Sequence, residues 1–268
     1  MAIKHGTTDI VKVYRGATEI TKIYKGTELI YSASPAPQPT LSNKIYGHTR
    51  SASSTVTIKV NGTSYNVTSD SNKYFELDCS NISITSLNQC IYNQTSTIAD
   101  VTFDIDTSNC ENFSYLCASC AYATSIDCSK LDTSKATNFA AMFYNCQSAV
   151  ITPPSNGYQC ASGLWSVQFM FYNCKQMTSV DLSPIGDAYN ITNSNGWFNG
   201  CVNLETIDFT GLKDLDPSQT TNLFLNCSSL TSVKVAGADA TSIATLLSCL
   251  TTSGLSFTQS GDYLIPTT

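Results

Sequence analysis

The chain has 268 residues, 13% of them charged, and its formal net charge is −6. Residues 1–31 contain five basic and three acidic groups, whereas the remainder contains nine basic and seventeen acidic groups. An acidic body has no basic stripe for phosphates, so nucleic acid is excluded as an expected partner. No stretch reaches the roughly 18 apolar residues that span a bilayer, and the N-terminus has no apolar signal core. We therefore expect no membrane span, and cysteines that remain thiols.

The first 31 residues contain a ten-residue repeat, with units that begin at Gly6, Gly16 and Gly26. Alternating apolar and polar residues between glycines predict short antiparallel strands. A segment of this size cannot close a core alone. We expect another protein or another copy of the chain to dock on its apolar residues, which are Ile10, Val13, Tyr14, Ile20, Ile23, Tyr24, Leu29 and Tyr31. The alternative is a meander that packs back on the rest of the chain.

Two further segments precede the main body. Residues 32–40 contain Pro35, Pro37 and Pro39, and alternating prolines favour an extended, semi-rigid linker. Residues 41–83 alternate with period two on both sides of Asn61-Gly62, which predicts a hairpin, and a third strand is expected at 73–78. This segment is either a small β unit or the N-terminal cap of the domain that follows.

Residues 84–250 contain a second repeat. One cysteine recurs every 22 to 28 residues, at Cys120, Cys146, Cys174, Cys201, Cys227 and Cys249. This period is typical of a solenoid, and it assigns the cysteines to one structural column rather than to disulfides or metal. Phe139, Met142, Phe143 and Cys146 have helical spacing, so a short helix is predicted before each cysteine. Apolar residues three, six and eight positions after most of these cysteines predict a short strand.

The predicted fold is therefore a mixed α/β repeat, a leucine-rich-repeat-type solenoid of short parallel strands and short helices, with a β-rich N-terminal segment. Residues 251–268 would form a C-terminal cap. The pattern Phe-x-x-Cys-x-x-Leu-x-x-Val, with Asp-Thr-Ser between units, resembles the BspA-like leucine-rich repeat family, which implies a surface or adhesion role. The N-terminal repeat is similar to repeats that open phage virion-associated proteins. The unit after Cys146 departs from the pattern around 150–165, where a loop is expected to bind a ligand.

No catalytic constellation is evident. His5 and His48 lie far from the cysteine column, Cys117 and Cys120 form an isolated Cys-x-x-Cys pair, and the acidic residues are expected in turns. We expect no cofactor, no metal site and no enzyme activity. Three aromatic residues are weak candidates for stacking on a glycan, with packing of the insertions as the alternative: Tyr158, Trp165 and Tyr189.

These observations give three functional hypotheses. The first is a bacteriophage virion protein, a head fibre, capsid decoration or tail-associated protein, that docks on a capsid or tail protein through its N-terminus. Its solenoid would bind a host surface protein or glycan, with a homo-oligomer, preferably a trimer, supplying avidity. The second is a BspA-like adhesin on a bacterial cell surface. The third, a carbohydrate-active enzyme, ranks last for want of catalytic residues.

Overall fold

The structure is a computed structural model that describes residues 13–15, 18–20, 22–25, 28–32, 41–186 and 191–267, with backbone alone before residue 41. The chain divides into two compact units, Met1–Thr40 and Leu41–Thr268. Among the described residues, no helix has the length and apolar character needed to cross a bilayer.

The N-terminal unit contains two pairs of short strands. β1 (Val13–Arg15) pairs antiparallel with β2 (Thr18–Ile20). β3 (Lys22–Lys25) pairs in the same sense with β4 (Glu28–Ser32). Each pair joins two consecutive ten-residue units, so the antiparallel strands predicted from the alternation are confirmed.

The larger unit begins with four strands: β5 (Lys44–Thr49), β6 (Thr55–Val60), β7 (Thr63–Thr68) and β8 (Tyr74–Asp78). β6 and β7 form the predicted hairpin, and both turn residues have positive φ, 51° at Asn61 and 82° at Gly62. This conformation matches the right-handed twist of the strands that it joins. β5 lies between β8 and β9 (Ile98–Asp104) and is antiparallel to both.

Each coil of the solenoid then contributes one strand of three residues. These strands are β10 (Ser125–Asp127), β11 (Val150–Thr152), β12 (Ser179–Asp181), β13 (Thr206–Asp208) and β14 (Ser232–Lys234). β9, β10 and β11 are parallel neighbours, and so are β12, β13 and β14. The predicted solenoid of short parallel strands is confirmed, with about five turns.

The short helix that the spacing predicts before each cysteine is not formed. Between Phe139 and Cys146 the chain makes two consecutive turns, with positive φ at Ala141 (53°) and Asn145 (61°). The backbone N–H of Phe139 donates to the C=O of Ser166 in the next coil (2.9 Å), and three further bonds follow at alternate residues. Turns of this kind repeat every four residues, close to a helical period. They leave alternate N–H groups for the neighbouring coil, whereas a helix would use them internally.

The core runs along the inside of the coils. A ladder of parallel aromatic rings occupies its centre, with Phe143, Phe171, Phe198 and Phe224 stacked at centroid distances of 5.8 to 6.0 Å. The cysteine column lies beside this ladder and is buried throughout. Burial of these side chains in successive coils provides the main favourable term for stacking.

The C-terminal end of the solenoid is formed by one helix and a hairpin. α1 (Ala240–Thr252) begins at Asp239, whose side chain accepts a hydrogen bond from Ser242 N–H, as an N-cap does. β15 (Phe257–Ser260) and β16 (Tyr263–Pro266) follow, and β16 pairs antiparallel with β14. Leu246, Leu250 and Leu264 from these elements are buried against the last coil.

Candidate functional site

The residues predicted to dock on a partner lie in the N-terminal strand pairs. Val13 and Tyr14 are in β1, Ile20 in β2, Ile23 and Tyr24 in β3, and Leu29 and Tyr31 in β4. Ile10 lies outside the described residues, as does the linker 32–40 apart from Ser32, which ends β4. The positions of these residues in strands agree with the sequence pattern, and the docking itself stays a prediction.

The three aromatic candidates have different positions. Tyr158 is 2% exposed, and its ring packs between those of Phe139 and Phe171, with centroid distances of 6.2 and 5.7 Å. The candidate role of Tyr158 in glycan stacking is therefore wrong, because its ring fills the core where the strand after Cys146 is irregular. Trp165 is 48% exposed. Tyr189 lies outside the described residues.

The cysteine column consists of free thiols that donate to backbone oxygens. Each Sγ lies near a carbonyl oxygen of the preceding coil: Cys146 is 3.0 Å from Cys117 O, Cys174 is 3.1 Å from Phe143 O, and Cys201 is 2.9 Å from Phe171 O. Cys120 and Cys227 make equivalent bonds, and Cys249 makes a longer one of 3.7 Å. Every cysteine of the column thus has a structural position in the stack.

Burial makes these thiols poor nucleophiles. It raises the pKa of Cys120 and Cys227 to about 12 and that of Cys174 well above its ordinary value. A thiolate is the reactive form, so the column is inert at neutral pH. Within 41–186 and 191–267, no group of three His, Cys, Asp or Glu side chains is arranged to hold a metal ion.

A surface depression lies on the turn side of the solenoid, and we call it the tyrosine groove. It has a volume of about 240 Å³ and is lined by Tyr92, Tyr115, Ser119, Ala141, Tyr144 and Phe169. Tyr92 and Tyr115 meet edge to face at 6.0 Å, and they are 41% and 37% exposed. Beyond Ala141, the ring of Tyr144 stacks on Tyr172 at 4.7 Å. The groove therefore has aromatic side chains on both sides and a small residue at its floor.

The two-turn segments place these rings on the surface. Tyr115, Ala141 and Phe169 occupy the same position in successive coils, five residues before the cysteine, and have φ of 56°, 53° and 56°. Their N–H groups donate along the stack, as Tyr115 does to Ala140 O (2.8 Å) and Ala141 to Gln168 O (2.7 Å). Since two large residues flank one alanine in this column, the groove opens over Ala141.

Sequence reasoning missed this groove, although a signal was present. Tyr144 and Tyr172 each stand two residues before a cysteine, within the repeated Phe-Tyr-Asn-Cys phrase. Tyr92 occupies the same position in an earlier coil. The bond from Asn93 N–H to Ala118 O (2.8 Å) sets the register between that coil and the next one. The first coil carries the related phrase Ile91-Tyr92-Asn93-Gln94 without the cysteine, so the cysteine period alone does not reveal the alignment.

A second depression lies on the strand side, between β11 and β12, and we call it the sheet cleft. β11 is the last strand of one five-stranded sheet and β12 is the first strand of the other. The cleft has a volume of about 510 Å³. It lies in the irregular unit that the sequence indicated around 150–165.

The sheet cleft follows from a one-residue shift in pairing. In regular coils, the N–H eight positions after one cysteine donates to the C=O seven positions after the next, as Leu182 donates to Asp208 (2.8 Å). In the unit after Cys146 positions seven and eight are Pro153 and Pro154, and neither has an N–H for the ladder. There, Cys128 donates to Thr152 O instead (2.9 Å), and Ile151 lies opposite Ile126. A shift of one residue reverses the faces of a strand, so Val150 becomes 63% exposed.

The two ends of the irregular unit remain joined to the rest of the solenoid. On the turn side, the four N–H groups from Phe139 to Asn145 donate to the next coil at 2.7 to 2.9 Å, as in the regular coils. Beyond β11, Gly157 approaches Pro184 so closely that a Cβ there would lie 2.6 Å from Pro184 Cγ. The cleft is therefore open along the strand edges alone.

Comparison with known protein families gives one match. Residues 63–183 match the family described as "Mycoplasma protein of unknown function, DUF285". This segment is thus similar to the DUF285 family, which belongs to the BspA-like leucine-rich-repeat-type proteins, in agreement with the resemblance found in the repeat. The matched segment includes both the tyrosine groove and the sheet cleft. Comparisons with curated proteins and with solved structures find no match to this chain.

Proposed function

We propose that this protein is a non-catalytic adhesin that binds a glycan in the tyrosine groove. The observation that supports the proposal is the groove itself, in which partly exposed rings of Tyr92 and Tyr115 face Tyr144 and Phe169. Large exposed aromatic side chains grouped in a depression are typical of binding surfaces. The match to DUF285 supports the adhesin over the other two hypotheses, since resemblance to BspA-like repeats implies a surface or adhesion role.

The chemistry of the groove suits a sugar ring. A tyrosine ring is amphipathic, with an apolar face that packs on C–H groups and a hydroxyl that bonds to polar groups. Partial burial and the neighbouring tyrosine rings raise the pKa of Tyr144, so its hydroxyl stays protonated as a donor at neutral pH. The volume of about 240 Å³ is below the usual range for larger ligands, which begins near 300 Å³. One or two sugar residues of a longer chain would therefore occupy the groove.

A single shallow groove binds weakly, and adhesion then depends on several copies. We propose display on a bacterial cell surface as a homo-oligomer, with a trimer preferred, because linked sites gain affinity without new contacts. Host surface proteins that bear glycans are the expected partners.

The groove is tested by removing one ring from each side. Tyr115→Ala and Tyr144→Ala should each weaken glycan binding roughly tenfold, the effect of losing a central aromatic contact. Tyr263→Ala is the matched control, since Tyr263 is 44% exposed on β16 and does not line the groove. A glycan array would identify a binding sugar, and calorimetry would compare the variants. Absence of glycan binding, or equal binding by all variants, would contradict the proposal.

A second candidate function is a bacteriophage virion protein. The strand pairs β1–β2 and β3–β4, which form a unit of their own, favour it. Under this proposal the N-terminal unit docks on a capsid or tail protein, and the solenoid is presented to the host. Mass spectrometry of gradient-purified particles and of cell envelopes would decide between the two candidates by the fraction that contains the chain.

A further inference from the structure

We propose that the sheet cleft binds an extended peptide strand of another protein, with an apolar residue directed inward and a lysine or arginine beside Asp181. This site is separate from the tyrosine groove and lies on the strand side of the solenoid. Four features of the cleft support the proposal: its unpaired backbone groups, its position between two otherwise regular sheets, its apolar floor, and its charge.

The walls of the cleft are strand edges with unpaired backbone groups. In a parallel ladder, alternate residues bond to opposite neighbours. Val150 and Thr152 bond to β10 through Thr124 O and Cys128 N–H, so the N–H and C=O of Ile151 face the cleft. On β12, Thr178 O and Leu182 N–H bond to β13, so Ser179 and Asp181 face the cleft from the other side. Strand edges of this kind are templates for the addition of a strand.

The cleft interrupts a sheet whose strands are parallel on both sides of it. β9 to β11 and β12 to β14 run parallel in successive coils. The turn side stays closed across the interruption, with N–H to O distances of 2.7 to 2.9 Å from Phe139 to Asn145. The opening is therefore a wedge, narrow at the turns and wide at the strands. A strand inserted between β11 and β12 would join the two sheets into one.

The side chains of the cleft specify the inserted strand. Phe171, Met177 and Val180 form an apolar floor, with Ile151 at the edge. Ile126 lies opposite Ile151, and Ile207 lies opposite Val180. Both are buried. A central apolar residue in the peptide would continue that row. Val150, exposed at the rim, favours a β-branched residue at the preceding position.

Charge complementarity specifies the peptide residue that lies beside Asp181. Asp181 is exposed at the end of β12, and its Oδ1 accepts from Ser183 N–H (2.9 Å). In the next coil the equivalent carboxylate, Asp208, has a cation partner, with Lys234 Nζ 2.8 Å from Asp208 Oδ2. The residues that line the cleft include no lysine, arginine or histidine. A lysine or arginine of the peptide at this level would form an ion pair with Asp181, as Lys234 does with Asp208.

The test uses the full chain and a labelled synthetic peptide, Thr-Val-Ile-Lys-Thr, blocked at both ends. Saturable binding by fluorescence anisotropy is expected, together with slower hydrogen exchange in peptides covering Ile151, Ser179 and Asp181. Asp181→Asn should weaken binding about fivefold, the usual loss for one exposed charge pair. Asp127→Asn is the matched control, because Asp127 makes the same turn with Ser129 N–H (2.9 Å) in a strand paired on both edges.

Two modified peptides distinguish strand addition from apolar binding. N-methylation at alternate residues removes backbone donors and keeps the side chains, and it should abolish binding. Replacing lysine by glutamate should weaken it further than Asp181→Asn does. Equal binding by the methylated peptide, or slow exchange of the cleft amides in the free protein, would overturn the proposal. A third result would also overturn it: the peptide does not bind, and the protein self-associates in the ultracentrifuge in a way that Asp181→Asn weakens. The occupant of the cleft would then be a second copy of the chain.

Discussion

At the scale of residues, the cysteine is the side chain that fits two demands of the stack. It is small enough for a close-packed interior, and its S–H donates to a carbonyl that already accepts one backbone bond. Phe171 O, for example, accepts Cys174 N–H (3.1 Å) within its own coil and Cys201 Sγ (2.9 Å) from the next. The column therefore adds a lateral bond between coils beside the stacked phenylalanine rings. Alanine at these positions would remove that bond and leave a small void.

The titration of these thiols makes stability depend on alkaline pH. Burial raises the pKa of Cys120 and Cys227 to about 12 in the folded state from an ordinary value of 9.0. The unfolded chain loses these protons first, so their contribution to stability is complete below pH 9 and is lost as pH rises toward 12. The melting temperature under reducing conditions should therefore fall steeply from pH 9 upward.

The same experiment on Cys120→Ser with Cys227→Ser isolates the thiol contribution. A serine hydroxyl keeps a donor for Ile91 O and Phe198 O, the present partners of these thiols, and does not titrate in this range. The decline between pH 9 and 11 should be shallower in this variant than in the native chain. Parallel declines would show that these two thiols do not contribute to the pH dependence.

At the scale of elements, the strand after Cys146 shows how one position controls a sheet. The regular coils have an apolar residue six positions after the cysteine and a donor at seven, as in Ile207 and Asp208. After Cys146 these positions are Thr152 and Pro153. The missing donor and the polar residue both favour the shifted pairing, which turns Ile151 inward and opens the sheet cleft.

Restoring the regular pattern should therefore close the cleft. The triple variant Ile151→Ser, Thr152→Ile, Pro153→Asp places an apolar side chain at position six and a donor at seven. We expect β11 to pair in the regular register and to bond to β12. Hydrogen exchange of the segment with Ser179 and Asp181 should slow by about tenfold or more, since two backbone bonds would protect amides that are now unpaired.

The control for this variant is the single substitution Ile151→Ser. It weakens the inward side of β11 without supplying the donor, so exchange at Ser179 and Asp181 should stay fast. Unchanged exchange in the triple variant would show that the segment after β11 holds the cleft open whatever the register, through the close approach of Gly157 to Pro184.

At the scale of the whole molecule, a solenoid must cover its two ends because each end exposes an apolar face. At the N-terminal end the β6–β7 hairpin does this, with Lys59 N–H donating to Cys90 O (2.9 Å) and Val56 and Ile58 buried beneath it. Asn61 joins the hairpin to the first coil, since its Oδ1 accepts from Thr85 and Ser86 N–H, both at 2.9 Å. At the other end α1 and the β15–β16 hairpin cover the last coil.

Asn61→Gly tests the N-terminal cap without disrupting the turn. Glycine tolerates the φ of 51° at this position, so the hairpin should persist. The lost side-chain bonds should lower the free energy of unfolding by about 1–3 kcal/mol and speed hydrogen exchange in the first coil, around Leu87 to Ile91. Asn72→Gly, in an exposed turn, is the control and should change neither quantity. Faster hydrogen exchange in the C-terminal coils as well as in the first coil would show instead that the solenoid unfolds as a single unit.

Much of this architecture follows from the sequence because it depends on periodicity. The cysteine period indicates coils, alternation after each cysteine indicates strands, and Asn61-Gly62 indicates a hairpin; all three are local patterns with one main structural solution. The segment before each cysteine is different, since turns and helices share nearly the same spacing of apolar residues. Whether the N–H groups of Phe139 to Asn145 bond within the segment or to the next coil is decided by stacking.

The repeat of short strands, the buried thiol column and the β-rich N-terminal segment can therefore all be read from periodicity. Which side chains meet on the surface depends instead on how the coils stack. Tyr92, Tyr115 and Tyr144 come from three coils and form a groove only when those coils are in register. Likewise, Pro153 becomes the cause of an open sheet only because a neighbouring strand requires a donor there. Contacts between coils depend on register, and register is a property of the assembled stack rather than of any one repeat.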